Sequence, residues 1–337
     1  MKNKIINLAT SDNVYIIAEI GINHEGDLNT CLDMVSAAFR AGADAVKLQS
    51  IDPNLSYSPT SESYPIFSKG QLSNEDTGLV FSFARSLGLD VFTTCGDYET
   101  AMQIDEYQPS CWKVSSGLLT HIPLIRQLTS FGRPLVLSTG LSNINEIREA
   151  VNAIKEISDV EIILLHCVSV YPTPIEILNL KKIGILKNEF QCQVGYSDHS
   201  VGIEAPYLAV AAGARVIEKH FSFDVSRDGF DHAISLDESE FKKMVNKIRL
   251  AELFLGSGGD EFSKQIIHAR QKYLRSIVAI DNITEGSPLD LNNIGVRRTN
   301  EANKGSEPKF LDSLLGTIAK KNYKKFDPIR LEDTNDD

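Results

Sequence analysis

The sequence predicts a closed (β/α)8 TIM barrel followed by a small β-rich domain. Eight short apolar runs recur between Tyr15 and Phe221, with helical periodicity in several of the gaps. Nearly every run ends in a residue able to do chemistry. Past Gly256 the pattern changes to short β-rich runs with turn residues and no helix-length crossovers. Strand alternating with helix implies parallel strands joined by right-handed crossovers. In a closed barrel the strand C-termini converge on one mouth, where the active site is built.

The strands are read in order from their polar ends. YIIAEIG carries Glu19, DAVKLQS carries Lys47 and Gln49, and DVFTTC ends at Thr93, Thr94 and Cys95. CWKVSSG carries Lys113 and Ser116, LVLSTG ends at Ser138 and Thr139, and IILLHC carries His166. QVGYSDH ends at Ser197, Asp198 and His199, and RVIEKHF carries Glu218 and His220. Between them, Leu28, Cys31, Leu32, Val35, Ala38 and Phe39 fall at helical spacing, and Gly42 stops the pattern. Residues 73–87, 144–157, 203–212 and 237–255 read as further helices, three of them closed by Gly88, Gly213 and Gly256. Residues 49–71 lack periodicity, carry Pro53, Pro59 and Pro65, and read as a long functional loop over the barrel mouth. YPTP at 171–174 plays a similar part after strand six.

A length of 337 residues suits a barrel of about 250 residues plus an appendage. The expected division is a barrel at 1–258, a linker at 259–270 and the β-rich domain at 271–337, ending in a disordered DTNDD tail. A formal net charge of −11 argues against nucleic acid or anionic membrane as partners, so an anionic substrate needs a local basic pocket. Five cysteines without CxxC spacing read as reduced thiols of a cytoplasmic protein. No stretch has signal-peptide or membrane-span character.

His199 and His220 end neighbouring strands, which predicts two imidazoles able to ligate one divalent metal or to act as a general acid–base couple. Lys47 and Lys113 lie inside apolar strands, where lysine needs a partner. They read as a salt bridge across the barrel, as a Schiff-base amine, or, with Ser116, Ser138 and Ser197, as a clamp for phosphate or carboxylate. Two lysines and three hydroxyls favour the clamp. Glu19 and Asp231 are candidates for binding sugar hydroxyls or moving protons.

These residues sit in stretches that resemble the sialic acid synthases, the family of N-acetylneuraminate, legionaminate and pseudaminate synthases and spore-coat polysaccharide relatives. The stretches are IAEIGINHEGD (17–27), AGADAVKLQ (41–49), WKVSSG (112–117), GRPLVLSTG (132–140), LLHCVSVYPTP (164–174), GYSDHSVG (195–202) and VIEKHF (216–221). The C-terminal portion resembles the antifreeze-like (SAF) domain of these enzymes. The resemblance implies a transferase that condenses phosphoenolpyruvate with an open-chain N-acylated hexosamine, N-acetylmannosamine or a 2,4-diacetamido-trideoxyhexose, to give a nonulosonic acid and phosphate. By motif, His199 and His220 resemble the metal ligands, for Mn2+ first and Mg2+ or Co2+ as alternatives. Lys47, Thr94, Lys113, Ser116, Ser138 and Ser197 resemble the phosphoenolpyruvate pocket, with Glu19, His199, His220 and Lys113 the catalytic set. Glu19, Gln49, Tyr171 and Asp231 resemble sugar contacts. Arg298 resembles the arginine lent to a partner subunit's site, which implies a domain-swapped homodimer. The sequence departs from the family's pattern at Leu118, which stands where an acid usually follows SG, and at TTCG, which replaces the usual STPF-like turn. Ser169 stands where Asn or Ser is usual, and DHA at 231–233 resembles the legionaminate, pseudaminate and spore-coat branches. The alternatives are a spore-coat-type synthase with a different acceptor and, because of Leu118, a non-catalytic sugar-binding descendant. His166 is left without a role.

Overall fold

The computed structural model describes residue 5 and residues 13–301 and 304–335. The chain divides into two compact units, Met1–Ser257 and Gly258–Asp337. In the first, eight parallel strands close into the expected barrel: β1 (Tyr15–Gly21), β2 (Ala45–Ser50), β3 (Asp90–Cys95), β4 (Trp112–Val114), β5 (Leu135–Ser138), β6 (Ile162–His166), β7 (Gln193–Asp198) and β8 (Val216–His220). Each strand pairs with the next, and β1 pairs with β8 through the register Tyr15↔Val216 to Glu19↔His220.

The connecting helices follow the apolar spacing. Helix α1 (Leu28–Ala41) starts where the Asp27 side chain accepts from the Thr30 amide and ends at Gly42, whose φ of 93° suits a residue without Cβ. Two short helices, α2 (Pro53–Ser56) and α3 (Ser63–Gly70), lie inside the segment read as an aperiodic loop. They are too short for periodicity to show, and a Pro at the first position of α2 starts a helix as readily as it marks a loop. Next come α4 (Asn74–Ser86), α5 (Tyr98–Asp105), α6 (Ile122–Ser130), α7 (Ile144–Lys155), α8 (Lys182–Phe190), α9 (Glu204–Ala211) and α10 (Glu238–Leu255). Of these, α5, α6 and α8 are additions to the sequence reading. Among the described residues no helix is long and apolar enough to cross a membrane.

Alternation along the strands makes two cores. Outward residues such as Ala18, Val46, Val91, Val114, Leu137, Leu164 and Ile217 pack under the helices. Inward residues Tyr15, Ile17, Ala45, Phe92, Cys111, Val136, Ile163, Leu165 and Val216 fill the barrel itself. Gly195 of β7 belongs to this inner packing, because a Cβ there would overlap the Val216 carbonyl and the Leu165 side chain.

The second unit holds α11 (Lys264–Tyr273), β9 (Arg275–Ala279), β10 (Ile294–Arg298), α12 (Leu311–Leu314), β11 (Ile318–Ala319) and β12 (Thr334–Asn335). Strands β9 and β10 pair antiparallel, as do β11 and β12, around a core that includes Ile277, Ala279, Leu289, Leu314 and Ile329. Two expectations change here. Much of the predicted linker at 259–270 is helix, started by the Ser263 side chain, which accepts from the Ile266 amide. The start of the predicted tail is also structured: Asp333 accepts a bond from Lys321, and Thr334–Asn335 forms β12. Asp336 and Asp337 lie outside the described residues, as does most of the N-terminal segment judged for signal character.

Candidate active site

The inward positions just past the apolar filling carry much of the polar set, and the turns and loops after the strands add Ser116, Tyr171, His199 and Asp231. Glu19, Lys47, Gln49, Lys113, Ser116, Ser138, Tyr171, Ser197, His199, His220 and Asp231 all line one cavity of about 450 Å³ at the strand C-termini. Eleven of the thirteen residues given a site role by the resemblance therefore line one cavity. Thr94 is buried beside it, 3.5 Å from Lys47 Nζ, and is not part of the lining. Arg298 belongs to the second unit, at the end of β10, with its guanidinium over the Tyr273 ring.

Two buried ion pairs form the floor. Lys47 Nζ lies 2.7 Å from Glu19 Oε2, and Gln49 donates to Glu19 Oε1 at 2.9 Å. Lys113 Nζ lies 3.5 Å from Glu218 Oε1 and donates to Ser138 Oγ at 2.7 Å. Ser197 Oγ donates to the same Glu218 oxygen at 2.8 Å. The other oxygen, Oε2, is buried without a hydrogen-bond partner among the described residues. The two carboxylates are driven apart. Burial, helped by the nearby Glu218, pushes Glu19 from 4.5 to about 7 against the pull of Lys47. Burial also acts on Glu218, but Lys113 and Lys47 overcome it and hold this carboxyl at about 2. Burial lowers Lys113, whereas Glu19 and Glu218 outweigh burial at Lys47 and raise it.

The imidazoles stand side by side, with ring centroids 5.5 Å apart. Burial lowers His199 to about 4 and His220 to about 3, so both are neutral near pH 7. His199 Nδ1 donates to the Val168 carbonyl at 3.0 Å, which leaves Nε2 as the nitrogen with a lone pair. His220 Nδ1 is buried without a hydrogen-bond partner, 3.6 Å from Asp231 Oδ2. Two neutral imidazoles with an orphaned ring nitrogen fit a divalent ion. Among the described residues no three His, Cys, Asp or Glu side chains form a metal cluster. Asp231 is held in place by Asn23, whose Oδ1 accepts from the Asp231 amide at 3.0 Å while its Nδ2 donates to the Phe221 carbonyl and Ser235 Oγ.

The structure also assigns the residues that sequence reading left open. Glu218 is part of the floor, and its signal was available: it lies two positions before His220 and in phase with it. Ser63 and Phe67 of α3 line the cavity, so residues 49–71 do lie over the mouth. Ser115 and Ser169 add hydroxyls to the rim. Leu118, in the turn after β4, packs against the apolar layer and is not part of the lining. His166 faces away from the cavity, with Nε2 2.7 Å from the Leu178 carbonyl. Strand parity explains this, since Leu165 is inward and its neighbour must point out.

A closed parallel barrel with its ionisable groups gathered at the strand C-termini is the architecture of a barrel enzyme. Comparison with known proteins makes the class specific. Residues 34–260 match the NeuB family. The chain is 41% identical to an uncharacterised protein of Methanocaldococcus jannaschii, over 95% of this chain and 94% of that protein. It is 35% identical to the N,N'-diacetyllegionaminic acid synthase of Legionella pneumophila, covering 90% and 89% of the two chains. The crystal structure of the N-acetylneuraminic acid (sialic acid) synthetase of Leptospira borgpetersenii superposes with a TM-score of 0.73 at 33% identity, over 77% of this chain and 92% of that one. The protein is an enzyme of the sialic acid synthase kind. It belongs to the NeuB family.

Proposed function

We propose that the chain joins phosphoenolpyruvate to an open-chain N-acylated hexosamine, giving a nonulosonic acid and inorganic phosphate. The observation that carries this reading is the juxtaposition, in one cavity, of a lysine–hydroxyl cradle with two neutral imidazoles. Lys47, Lys113, Ser116, Ser138 and Ser197 hold the phosphate and carboxylate of the donor, with Thr94 supporting Lys47. Lysines are suited to this as point charges, and the hydroxyls as adjustable donors. The charge balance supports it: burial favours the protonated form of Glu19, which leaves Lys47 and Lys113 less fully neutralised by the carboxylates that remain, Glu218 and Asp231. The acceptor lies on the other side, against Gln49, Tyr171, Asp231 and Glu19.

C3 of phosphoenolpyruvate forms the new bond to the aldehyde carbon, and the aldehyde oxygen takes up a proton to become a hydroxyl. Water adds its oxygen to C2, which has become electron-poor. The C2–O bond to phosphate then breaks, leaving the 2-keto acid and phosphate. His199 and His220 are the residues that would hold a divalent ion, with Mn2+ preferred. The chemistry such an ion supplies is Lewis-acid polarisation of a carbonyl oxygen. Glu19 is placed to hand over or receive a proton on the sugar side, and Glu218 to hold Lys113 and Ser197 still. Positioning of two substrates in one small cavity supplies much of the rate.

The sugar is proposed to be a 2,4-diacetamido-trideoxyhexose or N-acetylmannosamine. We further read residues 271–337 as an antifreeze-like domain whose Arg298 serves a second copy in a homodimer. Incubation with phosphoenolpyruvate, Mn2+ and each candidate sugar, with product mass spectrometry, tests the reading. Phosphate release together with a product of the summed mass supports it. Bound phosphoenolpyruvate with no release for any acceptor would favour the sugar-binding descendant that Leu118 suggests. Because Leu118 packs away from the cavity, activity is the expected result.

A further inference from the structure

Behind the two imidazoles, on the opposite face of the same strands, lies a buried ion pair that is not part of the cavity lining. Asp198 immediately precedes His199 and Lys219 immediately precedes His220. The two are register partners across β7 and β8. The alternation that turns Ser197, His199, Glu218 and His220 into the cavity turns Asp198 and Lys219 outward. There they enter a layer that is otherwise apolar, with Tyr196 and Ile217 among its members. Both are 0% exposed, and Lys219 Nζ lies 2.7 Å from Asp198 Oδ2. The other carboxylate oxygen accepts from Tyr196 Oη at 2.9 Å, the Ser200 amide at 3.0 Å and Ser200 Oγ at 2.7 Å. Lys219 Nζ also donates to the Ser200 carbonyl.

Stability does not account for this arrangement, because replacing a buried ion pair by apolar side chains is often neutral or stabilising. Directional bonds add what methyl groups lack. The pair joins β7 to β8 at their last shared rung, and Ser200 ties the turn that follows His199 to the strand that ends in His220. We propose that Asp198 and Lys219 are a positioning pair that fixes the separation and orientation of His199 and His220. The inference rests on the reading that these two histidines hold a divalent ion. It assigns a task to residues that do not line the cavity.

The test is a Mn2+ titration followed by electron paramagnetic resonance of the free ion, with a thermal melt of each protein. Removing both charges at once, as Asp198→Asn with Lys219→Met, avoids leaving one buried charge alone. The double variant is expected to melt near the wild type and to bind Mn2+ about 10- to 100-fold more weakly, the usual effect of losing an outer-shell partner. A folded double variant with wild-type Mn2+ affinity overturns the proposal and leaves the metal reading standing. Wild-type protein that binds no Mn2+, or His220→Ala that binds it normally, overturns the metal reading and the proposal with it. If the double variant does not fold, Tyr196→Phe decides: it removes one donor to Asp198 and keeps the ring. Several-fold weaker Mn2+ binding is expected, and unchanged affinity overturns the proposal.

Discussion

Two layers of inward side chains sit one step apart on the same strands, and they do different work. The lower layer is Ile17, Ala45, Phe92, Cys111, Val136, Leu165 and Val216, close-packed and apolar. Two residues further along come Glu19, Lys47, Thr94, Lys113, Ser138 and Glu218, with Ser197 on the same level of β7, all buried and joined by ion pairs and hydrogen bonds. The two layers lie on the same strands and differ in their side chains, with a register shift in β1 between Glu19 and Gly21. Burial above the dry lower layer pushes Glu19 up to about 7, whereas Lys113 and Lys47 outweigh the same burial at Glu218 and hold it at about 2. The mouth owes its chemistry to that dry filling together with its own paired charges.

The sharpest way to break this comparison is at the imidazoles. His220→Ala should lower metal-dependent turnover by about 10³-fold or more while the thermal melt stays within a few degrees, since it removes one of two ion ligands. Equal activity with and without His220 would remove the metal assignment. The two layers should next be separated by paired variants. Leu165→Ala, in the filling, should destabilise the barrel by about 2–5 kcal/mol in denaturant unfolding and leave phosphoenolpyruvate affinity near wild type. Lys113→Met, one layer up, should abolish donor binding and also destabilise by about 3–5 kcal/mol, because it leaves Glu218 buried without its cation. A Leu165→Ala protein that loses donor binding as completely as Lys113→Met would show that the layers are not separable.

A smaller effect follows from Glu19. Its folded value of about 7 lies above the usual 4.5, so the carboxyl is protonated below 7 and charged above. The stability it contributes is full below about 4.5 and is lost as pH rises through 7. Donor affinity follows the same sign. Compared with Glu19→Gln, wild-type affinity for phosphoenolpyruvate should fall roughly threefold to tenfold between pH 6 and pH 8, as one carboxylate charge returns to the floor. Calorimetric titration of both proteins cancels the titration of the ligand itself, and parallel pH profiles would contradict the assignment. The mildest effect is expected at Arg298. Its change to Ala should raise the sugar KM more than the phosphoenolpyruvate KM, and mixing with a barrel-inactive variant should restore some activity if the arginine serves a second copy.

Much of this was legible in the sequence because barrel strands are short and reactive residues recur at their ends. Recurrence of reactive residues at the ends of short apolar runs located Glu19, Lys47, Lys113 and His220 without any knowledge of loops. Periodicity of 3.6 located α1, α4, α7 and α10, which run from 12 to 18 residues, and, with the help of the stop at Gly213, the shorter α9. It missed α5, α6 and α8, which are eight or nine residues long and give only about two turns of signal. Side-chain direction past a strand end was not readable. Leu118 follows a three-residue strand into a tight turn, and no count of residues tells which way it points. The Asp198–Lys219 pair was hidden for another reason: charged residues beside a site look like part of it until strand parity places them behind it.

The proposed chemistry requires that the polar layer bind phosphoenolpyruvate and release its phosphate by breaking the C–O bond. Phosphoenolpyruvate carrying oxygen-18 in the bridging C–O–P position tests this directly, with Mn2+ and an N-acylated hexosamine that the protein turns over. The label is expected to leave entirely with inorganic phosphate. Release of unlabelled phosphate, or no release with any acceptor, would contradict it.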